Sequence, residues 1–417
     1  MQLVVQYDLI VHQMDVKAAY LNAPIDCDIY MEQPQGFEVN GEAEKLVCKL
    51  NNSLYELKQS GRNWNGVLHS YLIELGFSQL FADPCLYIKS SDNPKMLVVV
   101  WVDDMTVAAN CKSALQCVKN ALSARFRMKD LGELSWYLGI QFIRDNDSIK
   151  MNQKVFLNKV LSRFGMGDCK PRSTPCEVNV NKMSTEGSVE VVDKRLYRKI
   201  VGSLIYAMSA TRPDLGYVVT KLSQHLAKPT SAHLTMAKHV LRYVKGTLDH
   251  SLVFRKSSEP LKLTGYCDAD WATSLDDRRS TTGYCFQLSP DGPMISWKSK
   301  KQSTVALSSC EAEYMALASA TREAKFLLQL LRDMDGDQHT SAVMHADNQG
   351  ALVLAKNPVH HQRSKHIDIR YHFIRNEVQI GALQLVYTPS DDNVADLFTK
   401  PPTCPKLRGF LCILMGT

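Results

Sequence analysis

The sequence predicts a chain of mixed α/β and α+β domains, and three observations predict it. Strand-like and helix-like text alternate through residues 1–170, a helical stretch follows, and a new rhythm of three strands, a long helix, a strand and further helices starts near 259. The chain has 417 residues, 45% of them hydrophobic and 22% charged, which is enough to bury two or three separate cores. The texture changes divide it into 1–170, 171–258 and 259–417.

The elements follow from periodicity and punctuation. Residues 9–15 read as a strand, and 61–75 as a helix with Trp64, Val67, Leu68, Tyr71 and Leu75 at helical spacing. Residues 96–102 and 105–108 read as two strands with Asp103 and Asp104 at their junction. The stretch 171–193 is polar and carries Pro171 and Pro175, so it reads as a linker. Apolar stripes predict helices over 197–209 and 233–245, separated by the Thr211-Arg-Pro-Asp214 break. Beyond it, 261–267, 342–346 and 383–387 read as strands, with a long helix opening near Ser308 and a last helix after 387.

The formal net charge of +6 fits a nucleic-acid partner and fits a slightly basic enzyme equally well. None of the 12 cysteines forms a C-x-x-C pair, which suits reduced thiols better than a disulfide framework. His360, His361, His366 and His372 have no cysteine at ligand spacing, which argues against zinc. The N-terminal text has no basic region leading into a long apolar run, and the longest aliphatic stretch, 97–102, is too short to span a bilayer. An intracellular protein without a membrane partner is therefore expected, in a cytoplasmic particle or the nucleus.

Four acids fall where separate elements end or begin. Asp268 closes the predicted strand 261–267, Glu313 lies early in the long helix, Asp347 follows strand 342–346, and Asp396 lies early in the last helix. They are 45, 34 and 49 residues apart, and strand ends at one sheet edge are where such distant positions converge. Gathered carboxylates repel and raise one another's pKa unless a cation joins them. Two Mg²⁺ ions about 4 Å apart, held by Asp and Glu oxygens, are suited to cutting a phosphodiester. Ser308 and Glu311 stand in S-x-x-E relation, so Glu311 reads as half of a capping box. Ala316, Ala320 and Ala324 form a small-residue stripe that Glu313 shares, which argues against the plainer reading of Glu313 as a solvated helix charge. Arg278, Arg279, Lys298, Lys300, Lys301, Arg363 and Lys365 lie around these acids in the text. Each alone reads as a surface charge; as a set they suit a duplex groove that contacts phosphates without reading sequence.

In the first segment Asp103 and Asp104 sit at a hairpin tip, with Asp15 ending a strand 88 residues earlier. Aspartates are common in turns, so the pair alone indicates no more than a turn. Three acids on neighbouring strands could also hold two Mg²⁺ ions for nucleotidyl transfer.

These residues lie in text that resembles copia-type retrotransposon Pol polyproteins. Gly265-Tyr-Cys-Asp-Ala-Asp-Trp-Ala272, Glu311-Ala-Glu-Tyr-Met-Ala316, Ala346-Asp-Asn-Gln349, Lys365-His-Ile-Asp-Ile-Arg-Tyr-His372 and Ala395-Asp-Leu-Phe-Thr-Lys400 resemble the family's ribonuclease H domain. Gln13-Met-Asp-Val-Lys-Ala-Ala-Tyr-Leu-Asn22, Ser53-Leu-Tyr-Glu-Leu-Lys-Gln59 and Trp101-Val-Asp-Asp-Met105 resemble its reverse-transcriptase palm. Tyr197-Arg-Lys-Ile-Val-Gly-Ser-Leu-Ile-Tyr206 and Leu241-Arg-Tyr-Val-Lys-Gly-Thr247 resemble its connecting segment. The resemblance implies a palm and thumb over 1–170 without fingers, a helical connection over 171–258, and a ribonuclease H-like α/β domain with a mixed sheet over 259–417. It implies Asp268, Glu313, Asp347 and Asp396 as metal ligands for cleaving the RNA strand of RNA–DNA hybrids, with Mg²⁺ as cofactor and Mn²⁺ as the alternative. It implies Asp15, Asp103 and Asp104 as a metal-binding polymerase triad. Tyr20 then guards the ribose position of a deoxynucleoside triphosphate, and Gln59 lies in the nucleotide-pocket motif. Template-primer and hybrid nucleic acid are the implied partners.

The text also departs from the family. Asp15 is preceded by only fourteen residues, without the basic fingers segment, so the resemblance implies impaired polymerase activity. Glu56 stands where the family has glycine, which matters if the backbone there needs positive φ. Trp101 replaces a tyrosine, and Cys310 replaces a threonine or serine. A catalytically silent nucleic-acid-binding remnant is the alternative reading.

Overall fold

The structure is a computed structural model that describes residues 1–39, 46–89, 95–178, 193–274, 276–356 and 368–417. The fold is mixed α and β, as expected, and contacts divide it into two compact units. One is Tyr7–Leu134; the other joins Met1–Gln6 to Ser135–Thr417. This division differs from the expected boundaries at 170 and 258. Strand Ser148–Asn152 pairs with Leu252–Arg255, and that ladder ties the text after 134 to the C-terminal half.

The smaller unit is built on a six-stranded antiparallel sheet. Its order is Ser78–Gln79, Leu86–Lys89, Met96–Trp101, Asp104–Ala109, Ile10–Val16 and Met128–Glu133. Helices Ser60–Glu74 and Lys112–Arg125 supply apolar faces to it, so that Trp64, Leu68, Leu72, Leu115 and Leu122 bury against Met14, Val98, Met105 and Val107. The two central strands are apolar on both faces, which is why they read as strands from continuous hydrophobic text. The hairpin between them turns on Val102 and Asp103, and Asp104 is already the first residue of the second strand.

In the larger unit a four-stranded sheet, Leu252–Arg255, Ser148–Asn152, Ile140–Arg144 and Trp136–Tyr137, adjoins four helices. They are Lys154–Arg163, Lys194–Ala210, Gly216–Ser223 and Ser231–Gly246; the third of these falls in a stretch that the periodicity did not resolve. Asp193 caps the second, accepting from the backbone N–H groups of Arg195 and Leu196. Where the sequence predicts a break, Arg212 and Asp214 form a buried bidentate pair at 2.9 and 2.7 Å. Tyr243 donates to the same carboxylate at 2.8 Å, and Arg212 donates to the Thr247 hydroxyl at 2.6 Å. Residues 171–178 carry no helix or strand, and the rest of the expected linker up to 192 lies outside the described residues.

The third segment forms the expected mixed five-stranded sheet, in the order Met294–Lys301, Thr281–Gln287, Thr264–Asp270, Ala342–Ala346 and Leu383–Tyr387. The first three strands are antiparallel and the last two join in parallel. Helix Ser309–Asp335 covers one face, burying Tyr314, Leu317, Ala320 and Leu328 against Cys267, Tyr284, Phe286 and Met344. Two expectations are corrected here. Asp268 does not close its strand, which runs from Thr264 to Asp270, because pairing with Thr281–Gln287 holds the chain extended past it. Asp396 lies in a separate short 3-10 helix, Val394–Phe398, and the last helix begins only at Cys404. Among the described residues no helix is long and apolar enough to cross a membrane.

Candidate functional site

Sheet register delivers the first two acids. Thr264 and Tyr266 pair in parallel with Val343 and His345, so the two strands run out together toward Asp268 and Asp347. Asp268 lies opposite Gly283 on the neighbouring antiparallel strand. A Cβ on Gly283 would stand 2.7 Å from Thr399 Cγ2 and 2.9 Å from the Ala395 carbonyl oxygen, so only glycine lets the 394–399 turn press onto the sheet. That turn is pinned by Asn393, whose side chain donates to the Cys267 carbonyl at 2.9 Å. Thr399 then donates its hydroxyl to Asp268 Oδ2.

The long helix delivers the third acid. Ser308 caps it, accepting from the Glu311 N–H at 3.1 Å. The Glu311 carboxylate reaches back to the Leu307 N–H at 2.8 Å rather than to Ser308, a slightly displaced form of the expected box. Ala316, Ala320 and Ala324 are all buried, and Glu313 is buried on the same helix as expected from the stripe.

Asp268, Glu313 and Asp347 each offer an oxygen within 4.8 Å of the other two. Among the described residues, Asp268 Oδ1 and Glu313 Oε2 are buried without a hydrogen-bond partner. Burial, followed by the charges of Asp268 and Asp347, pushes the Glu313 carboxyl well above the usual carboxylate range. Burial likewise lifts Asp268, with Lys400 opposing and Asp396 adding to the rise, to about 6. Orphaned oxygens and mutually raised acids fit a site that binds a cation. Oxygens bonded at about 2.1 Å to one Mg²⁺ lie up to about 4.2 Å apart, so modest side-chain movement closes the three around such an ion. An all-oxygen donor set favours a hard cation over zinc.

Asp396, the expected fourth ligand, is not part of this group. Both its oxygens are occupied: Lys400 Nζ donates to Oδ1 at 2.5 Å and Lys406 Nζ donates to Oδ2. Lys400 also stands 3.6 Å from Asp268 Oδ2. Thr399, Lys400 and Lys406 were not singled out from sequence. The signal for Lys400 was its place four residues after Asp396 within Ala395-Asp-Leu-Phe-Thr-Lys400.

The basic residues separate into two kinds. Lys298 and Lys300 are exposed on edge strand Met294–Lys301. With Arg322 of the long helix, which the sequence reading missed, they line a cavity of about 550 Å³. Lys301 and Arg279 instead pair with Asp277, at 2.8 and 3.6 Å. Burial acts upward on Asp277, but the Lys301 and Ser274 hydrogen bonds hold its carboxyl at about 2. Arg278 is exposed, with φ at +54°. Arg363 and Lys365, like His360, His361 and His366, lie outside the described residues.

In the smaller unit Asp15 and Asp104 are direct partners across neighbouring strands, and the Asp103 carbonyl accepts from the Val16 N–H at 2.9 Å. The tip is held by Trp64, which donates to the Val102 carbonyl at 2.6 Å, and Val102 adopts φ +59°. Burial raises Asp104, Gln13 opposes it with a hydrogen bond, and Asp103 and Asp15 raise it further. Among the described residues these three acids do not reach the 4.8 Å grouping of the other site. Tyr20 packs on Tyr55 with ring centroids 4.5 Å apart, and Gln59 donates to Cys27 Sγ at 3.3 Å.

Comparison with known proteins bears on both units. A family model described as reverse transcriptase (RNA-dependent DNA polymerase) matches residues 1–178. The retrovirus-related Pol polyprotein of transposon TNT 1-94 from Nicotiana tabacum is 40% identical over 99% of this chain and 31% of its own length. The corresponding polyprotein of transposon RE1 from Arabidopsis thaliana is 40% identical over 96% of this chain and 27% of its own. The chain thus spans about a third or less of these polyproteins. A transposon Ty5-1 protein of Saccharomyces cerevisiae is 34% identical over 74% of this chain and all of its own length. The fold resembles a foamy viral protease-reverse transcriptase solved with an RNA/DNA hybrid: TM-score 0.52, 12% identity, 91% of this chain and 44% of that one.

Proposed function

The chain belongs to the Pol polyproteins of copia-type retrotransposons, and on that premise we propose that its larger unit cleaves the RNA strand of RNA–DNA hybrids with a bound Mg²⁺, or Mn²⁺ in its place. One observation carries this reading: Asp268, Glu313 and Asp347 converge with two buried oxygens that have no hydrogen-bond partner among the described residues. These three residues would hold the cation. When bound, it supplies a lowered pKa for the attacking water and neutralises charge on the leaving oxygen. Thr399 fixes the rotamer of Asp268 through its hydroxyl, and Asn393 ties the 394–399 turn to the strand that carries Asp268. Lys298, Lys300 and Arg322 offer phosphate contacts along their cavity, which would seat a duplex without selecting its sequence. Lys301 and Arg279, already committed to Asp277, would shape the rim of that surface.

The test is degradation of an end-labelled hybrid in Mg²⁺ by the full chain. Asp268→Asn should cost about 100-fold or more in rate, equivalent to roughly 3 kcal/mol of transition-state stabilisation. A chelator should abolish cleavage, and Mg²⁺ or Mn²⁺ should restore it. Equal cleavage by wild type and Asp268→Asn would remove the assignment. Hybrid binding without cleavage by either would identify a silent nucleic-acid-binding remnant instead.

A second reading concerns the smaller unit, where Asp15 and Asp104 face each other in register beside Asp103. It supports nucleotidyl transfer to a template-primer from deoxynucleoside triphosphates, with Tyr20 and Gln59 near the nucleotide. Primer extension on a homopolymer template that disappears in Asp104→Asn supports this reading; extension that survives the substitution rules it out.

A further inference from the structure

We propose that the cavity between edge strand Met294–Lys301 and the long helix takes an unpaired extension of the bound nucleic acid, with its phosphates on Lys298, Lys300 and Arg322 and a base on Phe373. This rests on the preceding reading that the chain binds a hybrid, and it deepens it by giving this cavity to a single strand that continues beyond the duplex.

Sheet register builds the first wall. Lys298 lies opposite Tyr284 and Lys300 opposite Thr282, and residues directly opposite in an antiparallel pair share a face. Tyr284 is buried against the long helix, so both lysines stand on the helix side of the sheet. The helix supplies the second wall with Met315, Ser319 and Arg322, which follow one another at helical spacing. Between the walls lie about 550 Å³, a volume that suits a ligand of mono- or dinucleotide size and excludes a two-stranded helix.

The charges are arranged for a chain of phosphates. Lys298 and Lys300 are two residues apart on one strand, about 6.6 Å, close to the separation of successive phosphates along a single strand. Lys298, Lys300 and Arg322 are exposed, and among the described residues none of them forms an ion pair, whereas Lys301 is held by Asp277. Glu323, the acid of this cavity, accepts from the Ser296 and Tyr284 hydroxyls at 2.7 and 3.3 Å.

Two further features favour a single strand. Phe373 of helix Asp368–Gln379 lines the cavity half-buried, with Lys325 Nζ 5.4 Å from its ring centre, and an aromatic beside a cationic track is how unpaired bases are held without sequence preference. A second cavity of about 430 Å³ shares Tyr284, Lys298 and Glu323 with the first, so the furrow continues along the edge strand past Ser296 and Trp297.

Fluorescence anisotropy on the full chain tests this, in an Asp268→Asn background that prevents cleavage. The probes are a blunt RNA–DNA hybrid and the same hybrid with an extension of about six nucleotides, of RNA in one arm and DNA in the other. An extension of at least one kind should tighten binding at least about tenfold. It should also steepen the log–log salt dependence by about two, at about 0.7 for each of three phosphate contacts. Lys298→Gln/Lys300→Gln should remove about 1.4 of that slope and most of the gain, and Lys298→Arg/Lys300→Arg should keep both. Phe373→Ala should weaken the gain about fivefold or more at unchanged slope, which separates stacking from charge. A circular dichroism melt of each variant separates lost binding from lost folding. No gain from either extension, a gain that survives Lys298→Gln/Lys300→Gln, or its displacement by equimolar deoxynucleoside triphosphate would overturn the inference and leave hybrid cleavage standing. Failure to bind even the blunt hybrid would overturn both.

Discussion

Asp268 and Glu313 carry charge at a cost while no cation is bound, because each is buried and each faces other acids. Both folded-state values are raised, so the fold favours the protonated forms. The stability they contribute is complete below their ordinary values and drains away as pH rises, through about 6 for Asp268 and further for Glu313. In chelator the melting temperature of the larger unit should therefore fall as pH climbs across this window, and Mg²⁺ should reverse the fall. Asp268→Asn should be more stable than wild type in chelator at neutral pH, by on the order of 2 kcal/mol, and should lose the response to Mg²⁺. A flat pH profile in chelator would contradict this. Glu56 is a separate case: it stands at φ +75°, where the family resemblance pointed to glycine. Glu56→Gly should gain up to about 1 kcal/mol in denaturant melts, relief of left-handed strain being partly offset by added chain entropy. That backbone angle was legible from one mismatched residue. The fate of Asp396 was not, because its neutralisation depends on a tight turn and on Lys406 from the following helix, and residue spacing shows neither.

At the level of elements, Gly283 decides whether the 394–399 turn can dock. Gly283→Ala forces a Cβ against Thr399, Phe398 and the Ala395 carbonyl at under 3 Å, and backbone cannot yield cheaply. The expected cost is about 1–3 kcal/mol, with weakened Mn²⁺ binding because Thr399 would no longer hold Asp268. Unchanged stability and binding would show that the turn docks by other means. Arg212 and Asp214 anchor the helical segment, and Arg212→Met alone should cost about 3–5 kcal/mol because it strands a buried carboxylate. Pairing it with Asp214→Leu should recover much of that loss. The long, strongly periodic helices were legible with ends shifted by a few residues. The strand carrying Asp268 was placed three residues too early, since its limits are set by hydrogen bonding to Thr281–Gln287, a partner that alternation does not specify. The eight-residue helix Gly216–Ser223 is too short for its period to emerge from apolar text.

For the whole chain, the mixed fold was legible from the change of texture, but the grouping of segments was not. A ladder between Ser148–Asn152 and Leu252–Arg255 joins stretches about a hundred residues apart, and neither stretch advertises its partner. Two compact units predict two calorimetric transitions. Saturating Mg²⁺ should raise the larger unit's transition, by about 2.7 kcal/mol at a hundred times the dissociation constant, and Asp103→Asn should leave that rise intact. A rise lost in Asp103→Asn would relocate the ion to the other unit. The contacts of Gln2 and Gln6 carry a further implication for synthesis on the ribosome. Their side chains donate to the Arg255 and Ser257 carbonyls, partners translated some 250 residues later. At about 5–20 residues per second the opening segment emerges and then waits for tens of seconds, while Tyr7–Leu134 is already complete behind it. A nascent chain paused before residue 250 should accordingly leave Met1–Gln6 open to protease.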